Sequence, residues 1–148
     1  MKNIAVLGST GSVGLSTLQI VRTHPKKFRV RALAAKKNAA ALLEQAREFR
    51  PDLICIYESA RAWELEQSLK GTGIRVVTGD EGLCEASTIA SAELVLFALV
   101  GAIGLVPLFA ALQARKSVAI LRTEVARTRR ADLQQVLDWA TTVLKEVL

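Results

Sequence analysis

The sequence predicts a single α/β domain built on a doubly wound, mostly parallel sheet, and two observations carry this prediction. Short apolar runs alternate with helical runs along the whole chain, and this alternation is typical of a parallel sheet with helices on both faces. A turn rich in glycine, residues 8–14, separates the first apolar run from the first helical run. A chain of 148 residues is long enough for one such domain with its own core.

The first half of the chain contains three predicted strands and three predicted helices. In order, they are strand 2–7, helix 12–23, strand 28–35, helix 39–49, strand 53–57 and helix 59–69. The first helix presents Leu15, Leu18 and Val21 on one apolar face. Pro25 and Pro51 end the first two helices, because the residue before a proline resists helical geometry.

The second half continues the same alternation in shorter segments. In order, we expect strand 74–77, a short helix or irregular connection 79–90, strand 92–98, helix 101–114, strand 117–121 and helix 127–148. In the first half of the chain, Ser59 is a candidate cap for the third predicted helix, 59–69. The last helix is amphipathic, with an apolar stripe made of Leu133, Val136, Leu137, Ala140, Val143, Leu144 and Val147. That stripe predicts either a helix packed on its own sheet or one that pairs with a second copy of the chain, as a homodimer.

Composition excludes several classes of protein. Hydrophobic residues make up 51% of the chain and charged residues 23%, which indicates a folded globular protein. The apolar stretch 94–112 contains two glycines and Pro107, so a buried strand and helix explain it better than a membrane span. The net charge of +6 comes without interleaved aromatic residues, which argues against nucleic acid as a partner. Cys55 and Cys84 are too few for a disulfide framework, and we expect a cytoplasmic protein.

The glycine turn is the first candidate ligand site. Its spacing is G-x-x-G-x-x-G, after a strand and before a helix. Glycines let the backbone approach a pyrophosphate closely, and the start of a helix offers unpaired N–H groups. The pattern therefore predicts a Rossmann-like dinucleotide site. A tight strand-to-helix turn without any ligand has the same pattern, so the glycines alone leave both alternatives open.

The segment after the second strand bears on which dinucleotide would bind. A carboxylate at the end of that strand favours NAD, whereas basic residues suit the 2′-phosphate of NADP. This chain has Lys36, Lys37 and Asn38 there, with no carboxylate. The two ammonium groups favour NADPH over NADH, although a pair of solvated lysines at a turn is the simpler alternative.

Several segments of the chain closely resemble the N-terminal region of the 1-deoxy-D-xylulose 5-phosphate reductoisomerase family. The resemblance covers residues 1–121 and is carried by Gly8-Ser9-Thr10-Gly11-Ser12-Val13-Gly14, Lys37-Asn38, Glu44-Gln45, Glu81-Gly82-Leu83 and Val100-Gly101-Ala102-Ile103-Gly104. Members of this family are oxidoreductases of non-mevalonate isoprene biosynthesis that use NADPH and a divalent metal. The resemblance implies NADPH as cofactor, with the pyrophosphate held by Thr10, Gly11, Ser12 and Val13. It also implies that Lys36, Lys37 and Asn38 face the 2′-phosphate.

The resemblance weakens after Leu121. The family continues with Ala-Asn-Lys-Glu-Ser, whereas this chain has Arg122, Thr123 and Glu124 at the asparagine, lysine and glutamate positions. The resemblance places Arg122 and Glu124 near the cofactor, but Arg122 could pair with a phosphate, pair with Glu124 or fill the nicotinamide end. The rest of the segment 122–148 is divergent and has nothing like the family's Asp-x-Glu metal pair.

We therefore expect one dinucleotide-binding domain, residues 1–148, with no catalytic and no metal-binding residue. On this interpretation the chain is an isolated NADPH-binding domain, truncated, engineered or a diverged remnant, and by itself it does not catalyse the reductoisomerase reaction. The alternative is an oligomeric or structural scaffold with a vestigial cofactor site.

Overall fold

Six parallel strands and five α-helices form residues 1–121, the part of the chain that the computed structural model describes. The strands are β1 (Lys2–Leu7), β2 (Phe28–Ala35), β3 (Leu53–Ile56), β4 (Arg75–Thr78), β5 (Leu94–Phe97) and β6 (Ser117–Ile120). The α-helices are α1 (Ser12–Thr23), α2 (Ala39–Phe49), α3 (Ala62–Ser68), α4 (Gly79–Thr88) and α5 (Leu105–Gln113). Short 3₁₀ helices, Ser59–Arg61 and Ala102–Gly104, precede α3 and α5.

The strand order is β4-β3-β2-β1-β5-β6, and every neighbouring pair is parallel. The chain builds outward from β1 through β2 and β3 to β4, then returns across the sheet to place β5 on the other side of β1. This reversal makes β1 and β5 the topological switch point, and ligands of such sheets bind beyond the carboxyl ends of the strands there. The predicted doubly wound, Rossmann-like fold is thus confirmed.

Both faces of the sheet are buried under helices. On one face, Leu18 of α1, Leu42 of α2 and Leu65 of α3 pack on the sheet. On the other face, Leu83 of α4 and Ala111 of α5 do so. The strands β3 and β5 are buried along their whole length, because both faces of a central parallel strand are covered by helices.

Two of the expectations for individual residues are wrong. Leu15 does not belong to the buried face of α1, since its side chain is 48% exposed. Instead, Gly14, Leu18 and Val21 are the buried residues of this helix, and Gly14 lies against the backbone of Gly8 and Ser9. Ser59 does not cap the third helix: it is the first residue of the 3₁₀ turn, and no side chain caps that turn.

Element boundaries shift by a few residues elsewhere. The fifth strand is shorter than predicted, Leu94–Phe97, and the predicted helix 101–114 is a 3₁₀ turn followed by α5. The helix predicted at 127–148 lies outside the described residues. Within residues 1–121, no helix has the length and apolar character needed to cross a membrane.

Cys55 lies in the core, and its chemistry is testable. The side chain is fully buried on β3, and burial, with a smaller effect of the Glu85 charge, raises the pKa of its thiol to about 12. Cys84 is half-buried, and burial followed by the Asp80 charge raises the pKa of that thiol as well. Because the thiolate is the reactive form, we expect a thiol reagent at pH 8 to modify Cys84 slowly and Cys55 not at all.

Counting modified thiols by mass spectrometry checks this prediction, with the protein unfolded in guanidinium chloride as the control. Both thiols should then react. Rapid modification of two thiols in the native protein would contradict the buried position of Cys55.

Candidate functional site

The glycine turn lies at the carboxyl end of β1, between the ends of β2 and β5. The N–H groups of Gly8 and Ser9 both donate to the carbonyl oxygen of Ala34, at 2.8 and 2.9 Å. On the other side, the N–H group of Ala98 donates to the carbonyl oxygen of Leu7 at 2.7 Å. Neighbouring strands therefore fix the start of the turn from both sides.

The three glycines of the turn have different reasons to be glycine. Gly8 has a φ angle of +89°, and a Cβ atom there would lie 2.6 Å from the carbonyl carbon of Ala98. A Cβ atom on Gly14 would lie 2.6 Å from the Cα atom of Ser9. Gly11 is unlike them, because its φ of −77° suits any residue and a Cβ atom would meet nothing closer than the Gly8 oxygen at 3.7 Å. The fold requires glycine at positions 8 and 14 and leaves position 11 unexplained.

The start of α1 has the properties of an anion site. Gly11 is its N-terminal flanking residue, and no described side chain caps the first turn. Gly11 and Ser12 are exposed, while Thr10 and Val13 are half-buried. The first N–H groups of a helix have no partner within the helix, and they carry the positive end of its dipole. Thr10, Gly11, Ser12 and Val13 are the residues predicted to hold the pyrophosphate, and an anion bound next to them would therefore be stabilised.

The second predicted cluster follows the neighbouring strand. Leu7 and Ala34 are register partners in β1 and β2, so the glycine turn and Lys36–Lys37 leave the sheet side by side. Both lysines are exposed. Asn38 also has a structural role, because its Oδ1 accepts a hydrogen bond from the Ala41 N–H at 3.1 Å and caps α2.

The structure thus brings together the two clusters predicted from separate parts of the sequence. Arg122 and Glu124 lie outside the described residues, so their predicted place near the cofactor stays a prediction.

Sequence reasoning missed one polar residue of this region. Gln45 of α2 is only 4% exposed, and its Nε2 donates to the carbonyl oxygen of Ser9 at 2.9 Å. The spacing of Gln45 in the sequence could have indicated its buried position, because it lies three residues after Leu42 and next to Ala46 on the buried side of α2. A polar residue within an apolar stripe indicates a specific buried partner.

A surface groove occurs at the opposite edge of the sheet. It lies between the end of α2 and the loop before β4, and Arg47, Arg50, Asp52 and Thr72 are among its lining residues. Asp52 directly precedes β3, so this groove lies at the amino ends of the strands. Doubly wound sheets bind their nucleotides at the carboxyl ends, which separates the groove from the glycine turn.

The fold and the turn define the class of the protein. A parallel sheet with a switch point, a glycine turn after β1 and an uncapped helix start together make a Rossmann-like dinucleotide-type domain. The chain belongs to the 1-deoxy-D-xylulose 5-phosphate reductoisomerase family, whose model matches residues 4–125. The resemblance noted in the sequence is thereby confirmed.

Curated relatives agree with this assignment. The chain is 46% identical to the 1-deoxy-D-xylulose 5-phosphate reductoisomerase of Geotalea uraniireducens over 128 residues, which are 86% of this chain and 33% of that protein. It is 41% identical to the enzyme of the same name from Moorella thermoacetica over 147 residues, 99% of this chain and 37% of that protein. The chain therefore spans about a third of the length of the curated relatives it matches.

Solved structures give the same fold. The reductoisomerase of Zymomonas mobilis in complex with NADPH is 26% identical, with a TM-score of 0.76 over 99% of this chain and 36% of that one. A DOX-P reductoisomerase in complex with NADPH, fosmidomycin and magnesium is 34% identical, with a TM-score of 0.76 over 99% of this chain and 34% of that one.

Proposed function

We propose that this chain binds NADPH at the glycine turn and is the cofactor domain of a reductoisomerase-type protein. The observation that carries the proposal is Gly11. The fold explains why positions 8 and 14 lack a side chain, but at position 11 a Cβ atom would meet only open space and an ordinary contact. Close approach of a pyrophosphate to the backbone supplies the missing reason.

The charges next to the turn support NADPH in particular. Lys36 and Lys37 are exposed beside the glycine turn, where the adenosine ribose of a dinucleotide lies in this class of fold. Two ammonium groups match the charge of a 2′-phosphate, which NADH lacks. Two solved relatives are themselves complexes with NADPH.

The cofactor and the residues of this chain would have different roles. NADPH, when bound, supplies a hydride, and the residues of this chain bind and orient it. Thr10, Gly11, Ser12 and Val13 would hold the pyrophosphate. Lys36, Lys37 and Asn38 would face the 2′-phosphate. Arg122 and Glu124 are proposed to reach the cofactor from the segment after β6.

We further propose that the chain by itself does not complete the reductoisomerase reaction. Within residues 1–121, no three His, Cys, Asp or Glu side chains stand close enough together to hold a metal ion. The described residues therefore do not fit the divalent metal that the family uses. The chain also spans only about a third of its curated relatives, so we propose that the metal and the substrate belong to parts that it does not include.

Titrating NADPH into the full chain tests the proposal. Saturable enhancement of the nicotinamide fluorescence is expected below millimolar cofactor, with no enhancement after heat unfolding. Adding 1-deoxy-D-xylulose 5-phosphate and magnesium should cause no NADPH oxidation. Absence of saturable binding at millimolar NADPH would show that the cofactor site is vestigial.

A second proposal concerns association, and it rests on α5. Leu105, Val106, Phe109 and Leu112 are each between 52% and 58% exposed, and exposed apolar patches of this kind mark interaction surfaces. They support the pairing of two copies of the chain as a homodimer. Light scattering at several concentrations tests this homodimer, and a strict monomer contradicts it.

The cellular location is a separate proposal. The free thiols of Cys55 and Cys84 favour a reducing, cytoplasmic location.

A further inference from the structure

A buried polar contact joins α2 to the glycine turn. The side chain of Gln45 is 4% exposed and Ser9 is fully buried, and the two are linked by the Nε2 to carbonyl hydrogen bond of 2.9 Å. Leu42 and Ala46 on the same side of α2 are also fully buried. The carboxamide therefore crosses an otherwise apolar interface, where a polar group without a partner is costly.

This contact fixes the orientation of a peptide group in the turn. The Ser9 N–H donates to the Ala34 carbonyl at 2.9 Å, and the Ser9 carbonyl accepts from Gln45. A peptide group is planar and trans, so its N–H points opposite to its C=O. Holding the Ser9 carbonyl towards α2 consequently directs the N–H of Thr10 away from α2 and sets the path of the chain into Gly11.

The contact is not an efficient way to stabilise the fold. The Oε1 of Gln45 and the Oγ of Ser9 are buried without a hydrogen-bond partner among the described residues. Unpaired buried polar atoms oppose folding, so a leucine in place of Gln45 would remove one such atom while it leaves the Ser9 carbonyl unpaired. The two effects on stability oppose each other, whereas the effect on the peptide orientation has no such compensation.

We propose that Gln45 is a positioning residue for the cofactor pyrophosphate, acting through the Ser9 carbonyl without touching the ligand. The inference rests on the proposed NADPH site and adds to it a residue that holds the phosphate-facing backbone in place. Loss of the Nε2 donor would let the Ser9–Thr10 peptide group rotate, which would redirect the Thr10 N–H and displace the backbone that leads into Gly11.

Comparing the binding of two ligands distinguishes a positioning role of Gln45 from a general stabilisation of the fold. NADP⁺ contains the pyrophosphate, whereas adenosine 2′-monophosphate contains the 2′-phosphate and adenosine but no 5′-phosphate. We expect Gln45→Leu to weaken NADP⁺ binding about tenfold and to leave the binding of adenosine 2′-monophosphate unchanged, both measured by calorimetry on the full chain. Gln67→Leu is the matched control, because Gln67 is exposed on α3, and it should bind both ligands like the wild type.

A second variant tests the hydrogen bond itself. Gln45→Glu keeps the shape of the side chain but places a carboxylate against the Ser9 carbonyl at pH 8. A buried carboxyl group takes up a proton at a higher pH than an exposed one, and the protonated acid can donate to the carbonyl again. The NADP⁺ affinity of this variant, relative to the wild type at the same pH, should therefore recover between pH 8 and pH 6.

The outcomes distinguish the inference from the function on which it rests. Wild-type binding of NADP⁺ together with equal binding by Gln45→Leu would overturn the inference alone. Equal weakening of both ligands in Gln45→Leu would show that Gln45 supports only the fold, and it would overturn the inference too. A wild-type chain that binds neither ligand would overturn the proposed NADPH site and the inference with it.

Discussion

Replacing Gly14 with alanine is expected to lower the free energy of unfolding by about 3 kcal/mol or more. The new Cβ atom would lie 2.6 Å from the Cα atom and 2.7 Å from the carbonyl carbon of Ser9. Both are backbone atoms, fixed by the hydrogen bond of the Ser9 N–H to β2, so they cannot move aside cheaply. The helix α1 would have to move away from the sheet and expose Leu18 and Val21. Urea unfolding, followed by circular dichroism, measures this loss.

Gly11→Ala is the matched control for this experiment. It changes the same residue type in the same turn, but the nearest atom to its Cβ is 3.7 Å away. We expect its stability to stay within about 1 kcal/mol of the wild type and its NADPH affinity to fall at least tenfold, because the methyl group occupies the space proposed for the pyrophosphate. Equal destabilisation by the two substitutions would contradict the different roles of these glycines.

Reversing both charges after β2 should change cofactor preference strongly. The double variant Lys36→Glu/Lys37→Glu is expected to weaken NADPH binding about 100-fold and to leave NADH binding nearly unchanged. Each lysine removed is a charge-assisted partner of the 2′-phosphate, and each glutamate adds repulsion. Fluorescence titration with both nucleotides gives the ratio of dissociation constants directly.

Lys26→Glu/Lys27→Glu provides the control for long-range electrostatics. These lysines are also exposed, but they directly precede β2 and so lie at the opposite edge of the sheet. The control makes the same change in net charge, and it should leave the NADPH to NADH ratio as it is in the wild type. If both double variants lowered NADPH affinity equally, the effect would be one of net charge, and Lys36 and Lys37 would not be the 2′-phosphate site.

Much of the fold could be predicted because the sequence carries strong local signals. β1, α1, β2 and α2 begin and end where they were expected. In this region the glycine turn, Pro25 and Pro51 interrupt the chain at fixed places, and backbone sterics near proline and glycine do not depend on tertiary contacts. The boundaries were less accurate after β3, because the apolar runs there are short and such a run can extend a strand or a helix equally well.

The candidate site was predicted in part for the same reason. The glycine turn and Lys36–Lys37 were recognisable because each follows a strand, and parallel strands bring their carboxyl ends to one edge. Asn38 was predicted only as a ligand contact, and its capping of α2 follows from the exact end of β2. Gln45 was missed as a site residue because its partner, the Ser9 carbonyl, is a main-chain atom 36 positions away along the chain.

The sequence by itself determined the class of fold, the order of its first elements and the location of the glycine turn. These depend on periodicity, on proline and on glycine, which act within a few residues. Only the tertiary structure decided that Gly14, and not Leu15, is buried in the first turn of α1, and that Gly11 has no packing reason to be glycine. It also revealed the hydrogen bond between Gln45 and the Ser9 carbonyl. Those facts depend on distances between atoms of different elements, which close packing sets and local sequence patterns do not contain.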